Sequence, residues 1–232
     1  MKITVLNDNM ASGICSAAHG LSWFIDSDIK ILFDAGPSDI AFKNAEKIGI
    51  DPNSADLAVL SHGHWDHGNG LAYLSGGRLI AHPEIHRKRY KRGNGKSIGL
   101  DISESDIKDK FDVTYSREAM QLSDSVWFLG EIPRSNEWDS GHEDFVLDDQ
   151  SNDTIPDDTG LAIKTNKGLV VISGCAHSGI TNIVNQAMAT IPNTPLHAVM
   201  GGFHLKPGDN RIPKTIEFFK ELEIKKLYPS HC

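Results

Sequence analysis

The feature that most constrains the fold of this chain is a turn that carries four metal-binding side chains. Residues 61–68 read Ser-His-Gly-His-Trp-Asp-His-Gly and follow the apolar segment 57–60, which is typical of a buried strand. The imidazole and carboxylate groups of this turn belong to His62, His64, Asp66 and His67. Such ligands together suit zinc, iron or manganese, and the glycines permit a tight backbone. The fold must therefore place a metal-binding turn between a strand and a helix.

Hydropathy patterning predicts which elements surround this turn. Apolar segments predict strands at residues 3–6, 21–25, 29–33, 57–60, 79–81, 126–129, 161–164, 169–172, 197–200 and 226–228. Helical spacing predicts helices at residues 38–48, 67–74, 180–189 and 214–222. Because strands come in groups of two or three before each helix, we expect mixed sheets covered by helices. With 232 residues, one domain over 1–232 is favoured, and two smaller domains are the alternative.

Composition excludes several classes of protein. The formal net charge of −8 argues against general nucleic-acid binding, which needs a basic surface. No apolar run is long enough for a transmembrane helix, and the first strand is too short to be a signal peptide. The cysteines at positions 15, 175 and 232 are too few for a disulfide scaffold and indicate a reducing compartment. We therefore expect a cytoplasmic protein that binds neither nucleic acid nor membranes.

Further candidate ligands follow later strands. Residues 174–180 read Gly-Cys-Ala-His-Ser-Gly-Ile, which places Cys175 and His177 between a strand and a helix. A thiolate and an imidazole both bind zinc, so either residue or both are candidate ligands, with a small buried cysteine as the alternative. His204 follows two glycines in segment 201–205 and lines a pocket or is a structural histidine. His231 follows the last predicted strand, and its alternative is an exposed histidine at a frayed end.

The pattern His-x-His-x-Asp-His at 62–67 resembles the signature of the metallo-β-lactamase fold superfamily, and Phe-Asp-Ala-Gly at 33–36 resembles its upstream aspartate motif. The resemblance implies an α/β fold, a four-layer αββα sandwich with metals at one edge. It implies that His62 and His64 bind one ion, that Asp66 and His67 bind a second, and that Asp34 orients the metal loop.

The same resemblance assigns roles to the candidate ligands that follow the later strands. Cys175 stands near the place of a bridging aspartate, and His177 is a ligand instead of it or as well. His231 matches the last metal ligand. A further metal histidine of the superfamily has no counterpart here. His142, Asp157 and Asp158 are the candidates to replace it, and one of the two carboxylates is favoured. The chain also stops at Cys232, where related proteins normally continue, so the last elements of the domain are expected to be absent.

Additional motifs resemble the group typified by a synthase of methanopterin biosynthesis, whose name gives its product as a dihydropterin joined to a ribofuranosylaminobenzene phosphate. They lie at residues 8–9, 81–83, 130–134 and 157–158. This resemblance points to Asn9, Arg134 and Asp158 as residues that support the metal site or contact substrate. It does not by itself assign that substrate to this chain.

The functional hypothesis is a hydrolase that uses one or two divalent ions to activate water against an ester or phosphoester of a small molecule. Zinc is favoured, with iron or manganese as alternatives. Asp66 holds the second ion and steers the water, and His177 or His204 assists proton transfer. The first alternative is a pterin-related transferase or synthase acting on a phosphorylated substrate, and the second is a non-catalytic or iron redox protein.

Other charged and aromatic residues have weaker assignments. The basic segment 87–92 is predicted to be a solvated, mobile loop, with a clamp for substrate phosphate as the alternative. The polar segment 135–159 is expected to be a long loop or lid. The role of His82 stays open, and the remaining histidines receive no role, namely His19, His86 and His197. The oligomeric state is not predicted.

Overall fold

The computed structural model describes residues 1–140 and 144–231, and these form two compact units. The first unit comprises Met1–Arg117 and Asp144–Asp153, and the second comprises Glu118–Glu143 and Thr154–Cys232. No helix among the described residues has both the length and the apolar composition that crossing a bilayer requires.

The first unit is built on a six-stranded mixed sheet in the order β1-β2-β3-β4-β5-β7. The strands are β1 (Lys2–Asn7), β2 (Ser22–Asp26), β3 (Lys30–Phe33), β4 (Leu57–Val59), β5 (Gly77–Ala81) and β7 (Phe111–Tyr115). A separate two-stranded sheet pairs β6 (Arg89–Lys91) with β10 (Phe145–Leu147). The α-helices are α1 (Ile40–Lys47), α2 (Trp65–Gly68) and α3 (Glu104–Lys110), and short 3-10 turns lie at Pro52–Ser54, Asn69–Tyr73 and Pro83–His86.

The core of the first unit explains why these segments form a sheet. Strands β3 and β4 are apolar and almost completely buried, as expected for strands covered on both faces. Ala41 and Ala45, one helical turn apart on α1, lie in the same buried cluster as Leu6 and Leu32 of the sheet. The helix thus covers one face of the sheet with its apolar stripe.

The second unit is built on another six-stranded mixed sheet in the order β14-β13-β12-β11-β9-β8. Its strands are β8 (Met120–Gln121), β9 (Val126–Phe128), β11 (Gly160–Thr165), β12 (Gly168–Ser173), β13 (Leu196–Gly202) and β14 (Lys226–Ser230). Its helices are α4 (Ile180–Thr190) and α5 (Ile212–Glu221), with a 3-10 turn at Glu137–Asp139. The apolar face of α4, including Ile183 and Ala187, packs in one cluster with Val171 and Val199 of the sheet. Each unit therefore has the predicted combination of a mixed sheet and covering helices.

Two predictions about loops were correct only in part. The basic segment 87–92 contains strand β6, and its Arg89 is fully buried in an ion pair with Asp153. The polar segment 135–159 contains strand β10, which pairs with β6 in antiparallel register. The predicted helix 67–74 begins earlier, at Trp65, and continues as a 3-10 turn after Gly68.

Candidate metal centre

Two parallel strands of the first unit bring the metal turn next to the upstream aspartate. Strands β3 and β4 pair in parallel, with Phe33 opposite Val59, so the residues that follow them emerge at the same edge of the sheet. Asp34 adopts a left-handed backbone conformation with φ of +56° and donates its backbone N–H to Val59. Its buried carboxylate accepts hydrogen bonds from the backbone N–H of Ser61 at 2.7 Å and from the Ser61 hydroxyl at 2.7 Å.

The Asp34 carboxylate fixes the protonation of two histidines. His67 Nδ1 lies 2.7 Å from Asp34 Oδ2, and because an ionised carboxylate only accepts, this nitrogen carries the proton. The single hydroxyl hydrogen of Ser61 also points to Asp34 Oδ2, so His62 Nδ1, 2.9 Å away, donates to the Ser61 oxygen. Both neutral imidazoles therefore present an unprotonated Nε2, which is the form that binds a metal ion.

Donor atoms of the turn lie close enough in pairs for two of them to bind the same ion. His62 Nε2 is 3.0 Å from His64 Nδ1, and His67 Nε2 is 3.8 Å from Asp66 Oδ2. Two ligands of one tetrahedral zinc ion lie about 3.3 Å apart, given zinc–nitrogen distances near 2.0 Å. All four side chains are buried or nearly so. The chemistry and spacing of the donors thus fit a divalent metal.

Gly63 allows the turn to form because its Cα faces a neighbouring backbone. A Cβ atom at this position would lie 1.9 Å from the carbonyl oxygen of Ile85 and 2.8 Å from a guanidinium nitrogen of Arg89. On the other side of the turn, the ring of Phe145 packs edge-on against the His64 ring, with centroids 5.3 Å apart. The turn is therefore held by packing as well as by hydrogen bonds.

A second cluster of candidate ligands lies within the second unit. Strands β12 and β13 are parallel, with Ser173 opposite Gly201, so the residues that follow them meet at one edge. Cys175 Sγ lies 3.4 Å from His204 Nδ1, and the rings of His177 and His204 are 4.5 Å apart. The ligand atoms of these three residues all lie within 4.8 Å of one another. Cys175 and His177 are buried and His204 is half-buried. A thiol and two imidazoles at this spacing are chemically able to bind a metal or to share a proton.

Supporting residues hold the loop that carries His177. Asp158 Oδ2 accepts hydrogen bonds from the backbone N–H of Ser178, at 2.9 Å, and from the Ser178 hydroxyl. The other oxygen of Asp158 is buried and has no hydrogen-bond partner among the described residues. The Arg134 guanidinium donates to the carbonyl oxygens of His177 and Ile155, at 3.3 and 3.2 Å. In this structure Arg134 and Asp158 therefore shape the loop through its backbone.

The remaining candidates differ in their burial. Asn9 is exposed, and its side-chain oxygen accepts a hydrogen bond from the Gly20 N–H at 3.1 Å. His231 follows β14, is half-buried and has a positive φ of 63°. Asp157 is fully buried, whereas His142 lies outside the described residues. Which residue takes the place of the superfamily's further metal histidine therefore stays a prediction.

Two residues that contact the metal turn were not singled out by the sequence. Ser61 links His62 to Asp34, and His19 lies 3.3 Å from the Asp66 carboxylate through its Nε2. A hydroxyl directly after a buried strand and before the histidines was a usable signal for Ser61. His19 is distant in sequence and carried no such signal.

Comparison with known proteins shows the family of the chain. The family model of the metallo-β-lactamase superfamily matches residues 17–181. The chain is 32% identical to an uncharacterized protein of Methanocaldococcus jannaschii, over 99% of this chain and 90% of the relative. It is 30% identical to the 7,8-dihydropterin-6-methyl-4-(β-D-ribofuranosyl)-aminobenzene-5'-phosphate synthase of the same organism, over 92% of this chain and 80% of the synthase.

A solved structure shows the same fold. The crystal structure of a protein described as a metal-dependent hydrolase of the β-lactamase superfamily matches with a TM-score of 0.89 and 33% identity. The match covers 99% of this chain and 87% of the other. The predicted fold class, the α/β sandwich of metallo-β-lactamase type, is thereby confirmed. The chain belongs to the metallo-β-lactamase superfamily.

Proposed function

We propose that this protein is a metal-dependent hydrolase that uses two divalent ions, preferably zinc, against an ester or phosphoester of a small molecule. The observation that carries the proposal is the hydrogen-bonded arrangement around Asp34, which leaves Nε2 of both His62 and His67 unprotonated. Such an arrangement is typical of metal-ligating histidines, whose other ring nitrogen donates to a carboxylate or hydroxyl. The relative described as a metal-dependent hydrolase supports the same assignment.

Each residue of the turn has a defined task in this proposal. His62 and His64 hold one ion, and Asp66 and His67 hold the other. A divalent ion bound there would lower the pKa of a water molecule towards neutrality and polarise the substrate oxygen. The Asp66 carboxylate, whose side chain is 9% exposed, accepts a hydrogen bond from the attacking water and so orients it towards the substrate.

The thiol–imidazole cluster supplies proton transfer in this proposal. Cys175 Sγ and His204 Nδ1 lie within hydrogen-bonding distance, so the pair is able to share a proton. His177, whose ring lies beside that of His204, is the second imidazole able to deliver a proton to the leaving group. Cys175 and His177 also remain the predicted metal ligands of this unit.

We expect the Asp66→Asn variant to lower kcat/KM by about 10²- to 10⁴-fold, because a neutral amide binds a cation weakly and orients water poorly. The measurement is turnover on a panel of carboxylic esters, lactones and phosphodiesters, together with metal content by mass spectrometry. Dialysis against a chelator should abolish turnover, and added Zn²⁺ should restore it.

Asp109→Asn, which changes an exposed aspartate of α3, is the matched control and should behave like the wild type. Full activity and full metal content in Asp66→Asn would exclude the role proposed for this carboxylate. Failure of the wild type to bind any divalent ion would exclude the proposed function as a whole.

Substitution of Cys175 tests whether its thiolate is a metal ligand. In protein loaded with Co²⁺, we expect a thiolate-to-metal absorption band that the Cys175→Ser variant lacks and that Cys15→Ser retains. We expect metal affinity to fall about 10- to 100-fold in Cys175→Ser only. Absence of this band from the wild-type protein would show that the Cys175 thiolate is not a ligand, and a band of full intensity in Cys175→Ser would assign the thiolate to another cysteine.

The second candidate function is that of a pterin-related synthase. It is favoured by the 30% identity to the dihydropterin-methyl-ribofuranosylaminobenzene phosphate synthase, which extends over 92% of this chain. In that case the ions would act on a hydroxyl or phosphate ester of the substrate. Tight binding of a reduced pterin with release of its pyrophosphate would favour this function, and good hydrolase turnover without pterin binding would exclude it.

A further inference from the structure

His19 lies beside the metal turn, at its solvent side. Its Nε2 is 3.3 Å from Asp66 Oδ2, and its side chain is 59% exposed, whereas that of Asp66 is 9% exposed. The His19 ring also lies 6.1 Å from the Trp65 ring, centroid to centroid. Trp65 and Asp66 therefore both face the His19 imidazole.

The backbone around His19 is built against Asp66. Gly20 has a φ of +135°, and a Cβ there would lie 2.2 Å from the Asp66 carbonyl oxygen, so only glycine fits without a shift. The N–H of Leu21 donates to that same carbonyl oxygen at 3.3 Å. The N–H of Gly20 is in turn held by the Asn9 side chain. The two residues after His19 are thus held by two hydrogen bonds, from the Leu21 N–H and the Gly20 N–H, that do not depend on the His19 side chain.

The Asp66 carboxylate lies between two imidazoles. Its Oδ2 is 3.3 Å from His19 Nε2 and 3.8 Å from His67 Nε2. His67 Nε2 is unprotonated because its Nδ1 donates to Asp34, so it offers a lone pair to an ion. His19 approaches the same oxygen from the exposed side.

We propose that His19 is a positioning residue of the metal centre, which holds the Asp66 carboxylate in the orientation that binds the ion shared with His67. This inference rests on the proposed function, since it requires that Asp66 binds metal. Because the His19 side chain is 59% exposed, solvent screens its pairing with Asp66, and the pair contributes little to folding. The effect of His19 should therefore appear in metal affinity rather than in stability.

The test compares His19→Ala, His19→Gln and the wild type by titration of the metal-free proteins with Zn²⁺ in a competing chelator. We expect His19→Ala to weaken the second binding step about 10- to 100-fold and to leave the first step unchanged. His19→Gln should recover most of the affinity, because its amide N–H reaches the carboxylate. His197→Ala replaces a half-buried histidine of β13 and should match the wild type.

The visible spectrum of the Co²⁺ protein separates positioning from direct ligation. We expect the same cobalt coordination in saturated His19→Ala as in the wild type. A change of coordination number in that variant would overturn the positioning role, as would wild-type affinity for both ions or a failure of His19→Gln to recover. If the wild type itself binds no second ion, the proposed function fails, whereas a normal wild type with an unaffected His19→Ala refutes this inference alone.

Discussion

The Asp34→Asn variant is expected to lose metal affinity about 10- to 100-fold while keeping its fold. Asparagine has the shape of aspartate, but one of its two terminal groups is a donor rather than an acceptor. The Asp34 carboxylate accepts three hydrogen bonds, from the Ser61 N–H, the Ser61 hydroxyl and His67 Nδ1. An amide oxygen at the Oδ1 position leaves an amide N–H facing both Ser61 Oγ and His67 Nδ1.

Replacing Asp34 by asparagine moves the ring proton of both histidines from Nδ1 to Nε2. With a donor opposite it, His67 Nδ1 becomes an acceptor, and the proton moves to Nε2, the atom that would bind the ion. The Ser61 hydroxyl loses its acceptor and turns towards His62 Nδ1, which likewise shifts the proton of that ring to Nε2. One substitution therefore disables both imidazoles without removing either.

Metal titration measures the loss of affinity, and ¹⁵N NMR of the histidine rings shows which ring nitrogen carries the proton. The expected outcome is weak metal binding accompanied by protonated Nε2 in His62 and His67 at neutral pH. Asp39→Asn is the control, because Asp39 pairs with Lys43 on the partly exposed surface of α1. Unchanged ring tautomers in Asp34→Asn would show that the hydrogen bonds to Asp34 do not set the protonation of the site.

Only part of the candidate site could be predicted from the sequence. The candidate ligands His62, His64, Asp66 and His67 lie close together along the chain, so their spacing alone predicted a metal turn. The link from His62 through Ser61 to Asp34 depends on the parallel register of β3 and β4, which is a tertiary property. Likewise, His19 reaches Asp66 only because the loop after β1 folds back against the turn.

For the fold as well, elements with a clear local sequence pattern were predicted, and elements that depend on tertiary packing were missed. Buried strands such as β12 are continuous apolar runs and were predicted nearly to their ends. Strand β7 was missed because it lies at a sheet edge and alternates exposed with partly buried residues. Helix α3 was also missed, although Ser103 followed by Asp106 is a capping signal, and the Ser103 side chain accepts from the Asp106 N–H. Strand β6 was missed because its charges suggested solvent exposure, whereas Arg89 is buried.

The burial of Arg89 leads to the largest expected loss of stability. Its Nε lies 2.8 Å from Asp153 Oδ2, both side chains are fully buried, and Nη2 donates to the Glu84 carbonyl oxygen at 3.2 Å. We expect Arg89→Met to lower the free energy of unfolding by about 3–5 kcal/mol, because the buried Asp153 carboxylate loses its guanidinium partner. Urea denaturation of the metal-free protein measures this loss without a contribution from metal binding.

A double variant separates the charge effect from packing. Arg89→Met with Asp153→Leu replaces the buried pair by apolar side chains, an exchange that is often neutral or stabilising. We therefore expect the double variant to recover most of the stability. Arg92→Met removes a neighbouring pair with Asp144 that is exposed and should cost at most about 1 kcal/mol. A loss below that value for Arg89→Met would contradict the assignment of Arg89 as a buried structural cation.

The same double variant tests whether Arg89 supports the metal turn. A guanidinium nitrogen of Arg89 lies 2.8 Å from the place where a Gly63 Cβ would be, so this side chain packs directly behind the turn. If Arg89 serves only to pair Asp153, recovery of stability in the double variant should restore metal affinity as well. If Arg89 also shapes the turn, the double variant will be stable but will bind Zn²⁺ about 10- to 100-fold more weakly. We expect the second result, because methionine lacks the planar group that fills the space against Gly63.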